Sequence, residues 1–301
     1  MIATWYRDSL QRLRQSANVS IRRAAGLSKD PPARCDDPKV AYSDVQGVTR
    51  IVHGDLPSML VGGVGSLFFQ MLHPLAMAGV AQHSRYQDDP FGRLLQTANF
   101  IGATTFGSKE SAHVAIERVL NVHQFVHGVG DDGRAYDAND PHLLLWVHCT
   151  ELFMFLNSYQ RFGAQRLSDD EANDYVAEMV HVAHDLGVLD PPRTVGELNA
   201  ALLTFRHELR LSPDGVVARD FIAHGVAKSR SQRFVHRLLV RSAWSLLPSW
   251  AQELLGVRTS ALIDRLIYRP ATSLLSFLCR LALPPTPRQA TIVSPPSTTT
   301  I

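Results

Sequence analysis

Residues 56–81 read LPSMLVGGVGSLFFQMLHPLAMAGVA and contain no Asp, Glu, Lys or Arg. A run this apolar has to leave water, either in a protein core or in a bilayer. Four glycines, Gln70 and the His73-Pro74 pair interrupt it. Proline cannot continue a helix through its own position, so the run divides into two pieces, each short for a membrane span. The expectation is a pair of buried core helices, and the rest of the fold must be built to cover them.

The flanking sequence supplies helices for that purpose. From 56 to about 126 the chain reads as helical, with Pro57, Pro74 and Pro90 as punctuation between segments. Ser108-Lys-Glu-Ser111 fits a helix start, and Val114, Ile116, Val119, Leu120 and Val122 follow it. The helix is expected to run through Asn121-Val-His123-Gln-Phe-Val-His127 and to stop at Gly128. On one continuous helix His123 and His127 would share a face. Such a pair offers a two-histidine site for zinc or non-haem iron, or one axial ligand with a neighbour.

Gly128–Gly133 reads as a turn and Arg134-Ala-Tyr136 as a short extended stretch. Asp140 is placed to cap a second apolar helix with Pro141 at its first position. Amphipathic helices are expected over 168–187 and 194–211, and three or four more over 217–283, broken at Pro248 and Gly256. No internal repeat and no run of alternating strands is found. The fold class is all-α, a single multi-helix domain over 45–283 with buried apolar helices around a cofactor pocket.

Composition narrows the function. Thirty Lys and Arg against 28 Asp and Glu give no strong field for a polyanion, and nucleic acid is excluded as an expected partner. Cys35, Cys149 and Cys279 are too few and too scattered for a disulfide framework or a structural zinc site, which points to a reducing, cytoplasmic compartment. The first residues lack the pattern of a signal peptide, so the mature chain is expected to begin at Met1. Residues 1–44 are read as a basic amphipathic helix and a turn-rich linker, and that helix could touch a membrane surface. Residues 284–301, rich in Pro, Ser and Thr, are read as a disordered tail.

An ordered series of short motifs carries more specific information. Gln70-Met-Leu-His73-Pro74, Ala81-Gln-His83-Ser84, Asp89-Pro90-Phe-Gly92-Arg93-Leu-Leu-Gln-Thr97, His123-Gln-Phe-Val126-His-Gly128 and Trp146-Val-His148 occur in that order. The series resembles the rubber oxygenase (latex-clearing protein) and MpaB-like oxygenase family over roughly 45–260. The resemblance implies a haem b (iron) cofactor, with His123 as the proximal metal ligand and His127 as second choice. It also implies haem-pocket contacts from Arg93 and Thr97, a guanidinium and a hydroxyl one helical turn apart. His148 falls on another family position and is the candidate catalytic, second-site residue.

The implied activity is oxidation of a small, rather apolar organic substrate with dioxygen. The alternative is a non-catalytic helical protein that binds haem or an apolar ligand, either in solution or at a membrane surface. Two departures from the rubber oxygenases argue against transferring polyisoprene cleavage. Gln96 and Ala98 flank Thr97, so no lysine stands there as a distal ligand, and no carboxylate lies in the hydrophobic helix ahead of Arg93. Taken without the resemblance, His73 and His83 read as caps or members of polar networks. Glu178-Met-Val-His181 is a single Glu-x-x-His where a di-iron bundle site needs two.

Overall fold

A computed structural model describes residues 16, 18–22, 33–225 and 230–283. Most of the expected N-terminal helix and all of the expected tail lie outside the described residues.

The apolar run folds as two helices. Residues Val48–Gly54 (α1) lead into Leu56–Gln70 (α2), and Pro74–His83 (α3) follows the His73-Pro74 break. Val61, Phe68, Phe69 and Leu72 lie fully inside the core. α2 lies along Pro141–Phe162 (α6), the longest helix, and the glycines of the run make this possible. A Cβ on Gly62 would stand 2.8 Å from the Phe155 ring and 3.1 Å from the Met154 carbonyl. The helix backbones therefore approach more closely than side chains would allow.

Between these core helices the chain forms a helical hairpin, Pro90–Phe106 (α4) and Lys109–His123 (α5), joined at Gly107-Ser108. Asp89 accepts a hydrogen bond from the Gly92 N–H and Ser108 from the Ser111 N–H, so each helix begins at a capped residue. A two-stranded hairpin, His127–Val129 (β1) and Ala135–Asp137 (β2), then turns the chain through Gly133, whose φ of 81° suits glycine. Asp140 caps α6 by accepting from the His142 N–H, as expected.

The expected helix over 168–187 begins with a capping box at Ser168 and Glu171, breaks at Met179, and comprises Asp169–Glu178 (α7) and Val180–Asp185 (α8). Val195–Thr204 (α9), Pro213–Asp220 (α10), Arg230–Leu246 (α11), Ser249–Leu254 (α12) and Arg269–Ala282 (α13) complete the principal helices. α11 closes the other side of α2 with Val240, Ala243 and Trp244. The two short strands are the only sheet among the described residues, and the fold is all-α.

Charged groups fasten this core at two points. Arg280 on α13 meets both oxygens of the buried Asp55 carboxylate, at 2.6 and 2.7 Å, and also donates to the Phe162 carbonyl. Glu178 accepts from the N–H groups of Val48 and Thr49 at 2.9 and 2.8 Å, so this carboxylate caps α1 instead of serving a di-iron site. Among the described residues no single helix is long and apolar enough to cross a membrane.

Candidate functional site

The α4–α5 hairpin decides which side chains meet. Its turn is centred near Ser108, and residues equally far from that turn in two antiparallel helices lie side by side. Arg93 and His123 each stand 15 positions from Ser108 (108 − 93 and 123 − 108), about 22 Å along their helices at 1.5 Å per residue. His123 also follows Ala112 and Ile116, the two buried residues of α5, at helical spacing, which turns it toward the inner face. Val114, Val122 and Phe125 occupy the outer face, 52%, 54% and 74% exposed, and line a shallow open groove with Asn121 and Arg118.

The expected histidine pair is corrected here. α5 ends at His123, with Gln124 at its C-cap, and His127 is the first residue of β1, exposed and paired with Asp137. The chain leaves the helix because strand pairing and the Ala138 N–H to Val126 carbonyl bond hold 126–129 extended. His123 and His127 therefore share no helical face. The end of α3 anchors the hairpin in turn: His83 contacts the His127 carbonyl and the Tyr136 hydroxyl, both at 3.2 Å, and Tyr136 donates to Gln82 at 2.7 Å. His83 is a network member, as its sequence context suggested.

The positive charge of Arg93 is felt at His123. Burial lowers the pKa of His123, the Arg93 cation lowers it further, and Asp137 opposes both. The imidazole Nδ1 is buried and has no hydrogen-bond partner. Arg93 is crowded enough for burial to lower its own pKa, yet its side chain is exposed to water. It has no carboxylate partner among the described residues. Thr97 lies one turn further along α4, exposed, with its hydroxyl donating to the Arg93 carbonyl at 3.2 Å.

His148 belongs to a different neighbourhood. It sits inside the core on α6, its Nε2 buried without a partner, and burial followed by the nearby His184 lowers its pKa to about 4. It is a neutral imidazole at physiological pH. One turn further along α6 is Glu151, whose carboxyl burial raises from the usual 4.5 to about 7. Sequence reading missed Glu151, although a signal was present: it is the only charged residue in the apolar stretch 143–156. Nearby, Thr105, His53 and Tyr175 form a buried chain with contacts of 2.7 and 3.0 Å, and burial lowers His53 to about 3. Cys149 is fully enclosed, and burial raises its thiol pKa to about 12, consistent with an inert core cysteine.

His73 is more than a cap. It is fully buried, and its Nε2 faces Glu208 at 3.4 Å, while His142 reaches the other oxygen of the same carboxylate at 2.8 Å. Neither His142 nor Glu208 carries a sequence motif.

These features define an all-α protein with one arginine–histidine pair at a helical hairpin and a polar chain within the core. The chain belongs to the family of the ER-bound oxygenase mpaB/B′ and rubber oxygenase catalytic domain, whose family model matches residues 50–277. The match spans α1 to α13 and makes the chain an oxygenase catalytic domain. No curated protein and no solved structure matches it significantly.

Proposed function

We propose that this protein is a haem b-dependent oxygenase that uses dioxygen to oxidise a small, rather apolar organic molecule. The observation that carries the reading is the placement of Arg93 and His123 at matching heights on the two helices of the α4–α5 hairpin, with the His123 Nδ1 buried and unpartnered. The donor set fits the group. His123 offers an imidazole with no competing hydrogen bond, and neutral imidazole is the form that ligates iron. Arg93 offers an uncommitted cation for a propionate, and Thr97 a hydroxyl beside it. Leu94, Leu95, Val119 and Leu120 are half-buried on the same two helices and supply an apolar flank for a flat hydrophobic ring.

When bound, the haem would supply the oxygen chemistry, and the chain's own residues supply position and proton control. Arg93 and Thr97 would hold the acidic groups of the haem and His123 would be its iron ligand. Apart from these residues, α6 carries Glu151, whose carboxyl burial raises to about 7, and the neutral His148 one turn away, and we take these two as the candidate proton-holding groups of the core. This assignment gives the chain a carboxylate that is missing ahead of Arg93, although on a different helix from the one expected.

We further propose that the protein works in the cytoplasm, against a membrane surface. Support comes from the accessible apolar side chains Leu266, Ile267, Leu274, Phe277, Leu278 and Leu281, accompanied by Arg265 and Arg269.

The test is oxygen consumption by the purified, haem-loaded protein across a panel of small apolar substrates. Substrate-dependent uptake in wild type and its loss in Glu151→Gln, with haem content unchanged, are expected. Full uptake in Glu151→Gln would remove Glu151 from the proposal. A haem-loaded protein inactive on every substrate would favour the non-catalytic binding reading.

A further inference from the structure

Three segments far apart in the chain bring His73, His142 and Glu208 together. His73 lies in the break between α2 and α3, His142 in the first turn of α6, and Glu208 just after the 3-10 turn that ends α9. One ligand atom from each falls within 4.8 Å of the other two. Both imidazoles present Nε2 to the one carboxylate, each to a different oxygen. We propose that this cluster binds one divalent transition-metal ion of the zinc or ferrous type, at a donor set separate from His123.

The spacing of the three donor atoms is compatible with an ion between them. At 3.4 Å the His73–Glu208 separation is long for an N–H to oxygen bond, which is normally about 2.7–3.2 Å. Two donors about 2.1 Å from a tetrahedral ion stand about 3.4 Å apart. The His142–Glu208 distance of 2.8 Å is that of a hydrogen bond in the metal-free cluster, which a bound ion would replace. Two imidazoles and one carboxylate are a donor set common to zinc and ferrous iron, and they leave further coordination positions free for water or a small molecule.

The surroundings hold the donors in place. Phe205 packs on the His142 ring at 4.5 Å, and Trp146 and Phe205 flank His73 at 6.2 and 6.3 Å. The segment carrying Glu208 is tied down two residues later, where the Arg210 N–H donates to the Leu72 carbonyl at 2.9 Å and its guanidinium pairs with Asp131 and Asp132 in the β-hairpin turn. The buried side of the cluster is therefore fixed, and the side carrying His142 is open to solvent. His207, 3.7 Å from the same carboxylate and largely exposed, is the one nearby imidazole that could substitute for His142. Glu208 has no such substitute in the cluster.

Cobalt(II), whose visible absorption reports coordination by nitrogen and oxygen donors, tests the proposal on the full chain after chelator treatment. Wild type is expected to take up a single equivalent with a four- or five-coordinate spectrum, to release it to zinc, and to melt at a higher temperature when zinc is added. Glu208→Gln and the double substitution His142→Ala with His207→Ala should bind cobalt about tenfold or more weakly and lose the zinc-dependent rise in melting temperature, with haem content unchanged. His142 and His207 are partly or largely exposed, so their replacement leaves the fold testable by its metal-free melting curve. Wild type without a cobalt spectrum, or variants that bind as wild type does, would overturn the proposal. Loss of haem in His123→Ala with cobalt binding retained would separate this site from the haem reading.

Discussion

α6 and the α4–α5 hairpin are both built from helices with apolar stripes, and they use those stripes in opposite ways. Along α6 nearly every large side chain is covered by protein: Trp146, Leu152, Met154, Phe155 and Tyr159 pack against α2, α9 or α11. On the hairpin, α5 buries Ala112 and Ile116, and among its described side chains α4 buries Thr104, Thr105 and Phe106, with Ile101 half-buried against the core. The apolar stripe of the first region is covered by protein, although the His148 Nε2 stands buried there without a hydrogen-bond partner. The second keeps Arg93 and His123 without protein partners on a half-covered apolar flank, which is what a site for a large flat ligand needs. The proposed haem site thus falls on the region whose apolar flank is less covered by protein.

The largest expected effect falls on the core. Trp146 is fully buried and donates to the Gln70 carbonyl at 3.1 Å, so Trp146→Ala should cost about 3–5 kcal/mol. A melting curve checks this, and a cost under about 1 kcal/mol would mean that α6 is not the centre of packing.

Glu151→Gln probes the titratable group within that core. The folded pKa of about 7 lies above the usual 4.5, so the folded state holds a proton that the unfolded state gives up between those values. Stability then falls as pH rises through that window. The glutamine variant should match wild type near pH 4 and be more stable at pH 8, by on the order of 3 kcal/mol at most. Denaturant midpoints measured across pH would show it. A difference independent of pH would contradict the assignment.

On the hairpin the expected effects pass to the ligand. Arg93→Ala should leave the melting temperature of the haem-free protein unchanged and weaken haem retention by about ten- to a hundredfold, since a charge-assisted contact is worth about 1.5–3 kcal/mol. Competition for haem with a myoglobin scavenger reads this directly. Equal loss of stability in the haem-free protein would make Arg93 a structural residue. Smallest of all, Val122→Ser on the outer face of α5 should change stability by about 0.5 kcal/mol or less. A larger cost would show that the groove beside Phe125 is packed in solution.

Much of the architecture was legible because its signals are local. Pro57, Pro74, Pro90 and Pro141 mark helix starts, Asp89, Ser108, Asp140 and Ser168 cap them, and the charge-free run from 56 to 81 became the buried core. The Arg93–His123 meeting was legible in principle, since both are equidistant from the Gly107-Ser108 turn. The shared face of His123 and His127 failed as an expectation because the strand pairing that ends α5 depends on residues 135–137, across a turn. His142 and Glu208 carried no pattern at all. Their meeting with His73 depends on how α6 and the end of α9 pack around the α2–α3 break, which no local periodicity encodes.

The most direct test of the hairpin site is a comparison of His123→Gly with His127→Ala by absorption spectroscopy and a pyridine haemochrome assay, with and without added imidazole. His123→Gly is expected to lose the haem absorption of wild type and regain it when free imidazole enters the space left by the side chain, while His127→Ala keeps about one haem per chain. Full haem occupancy in His123→Gly without imidazole, or loss of haem in His127→Ala alone, would contradict the account.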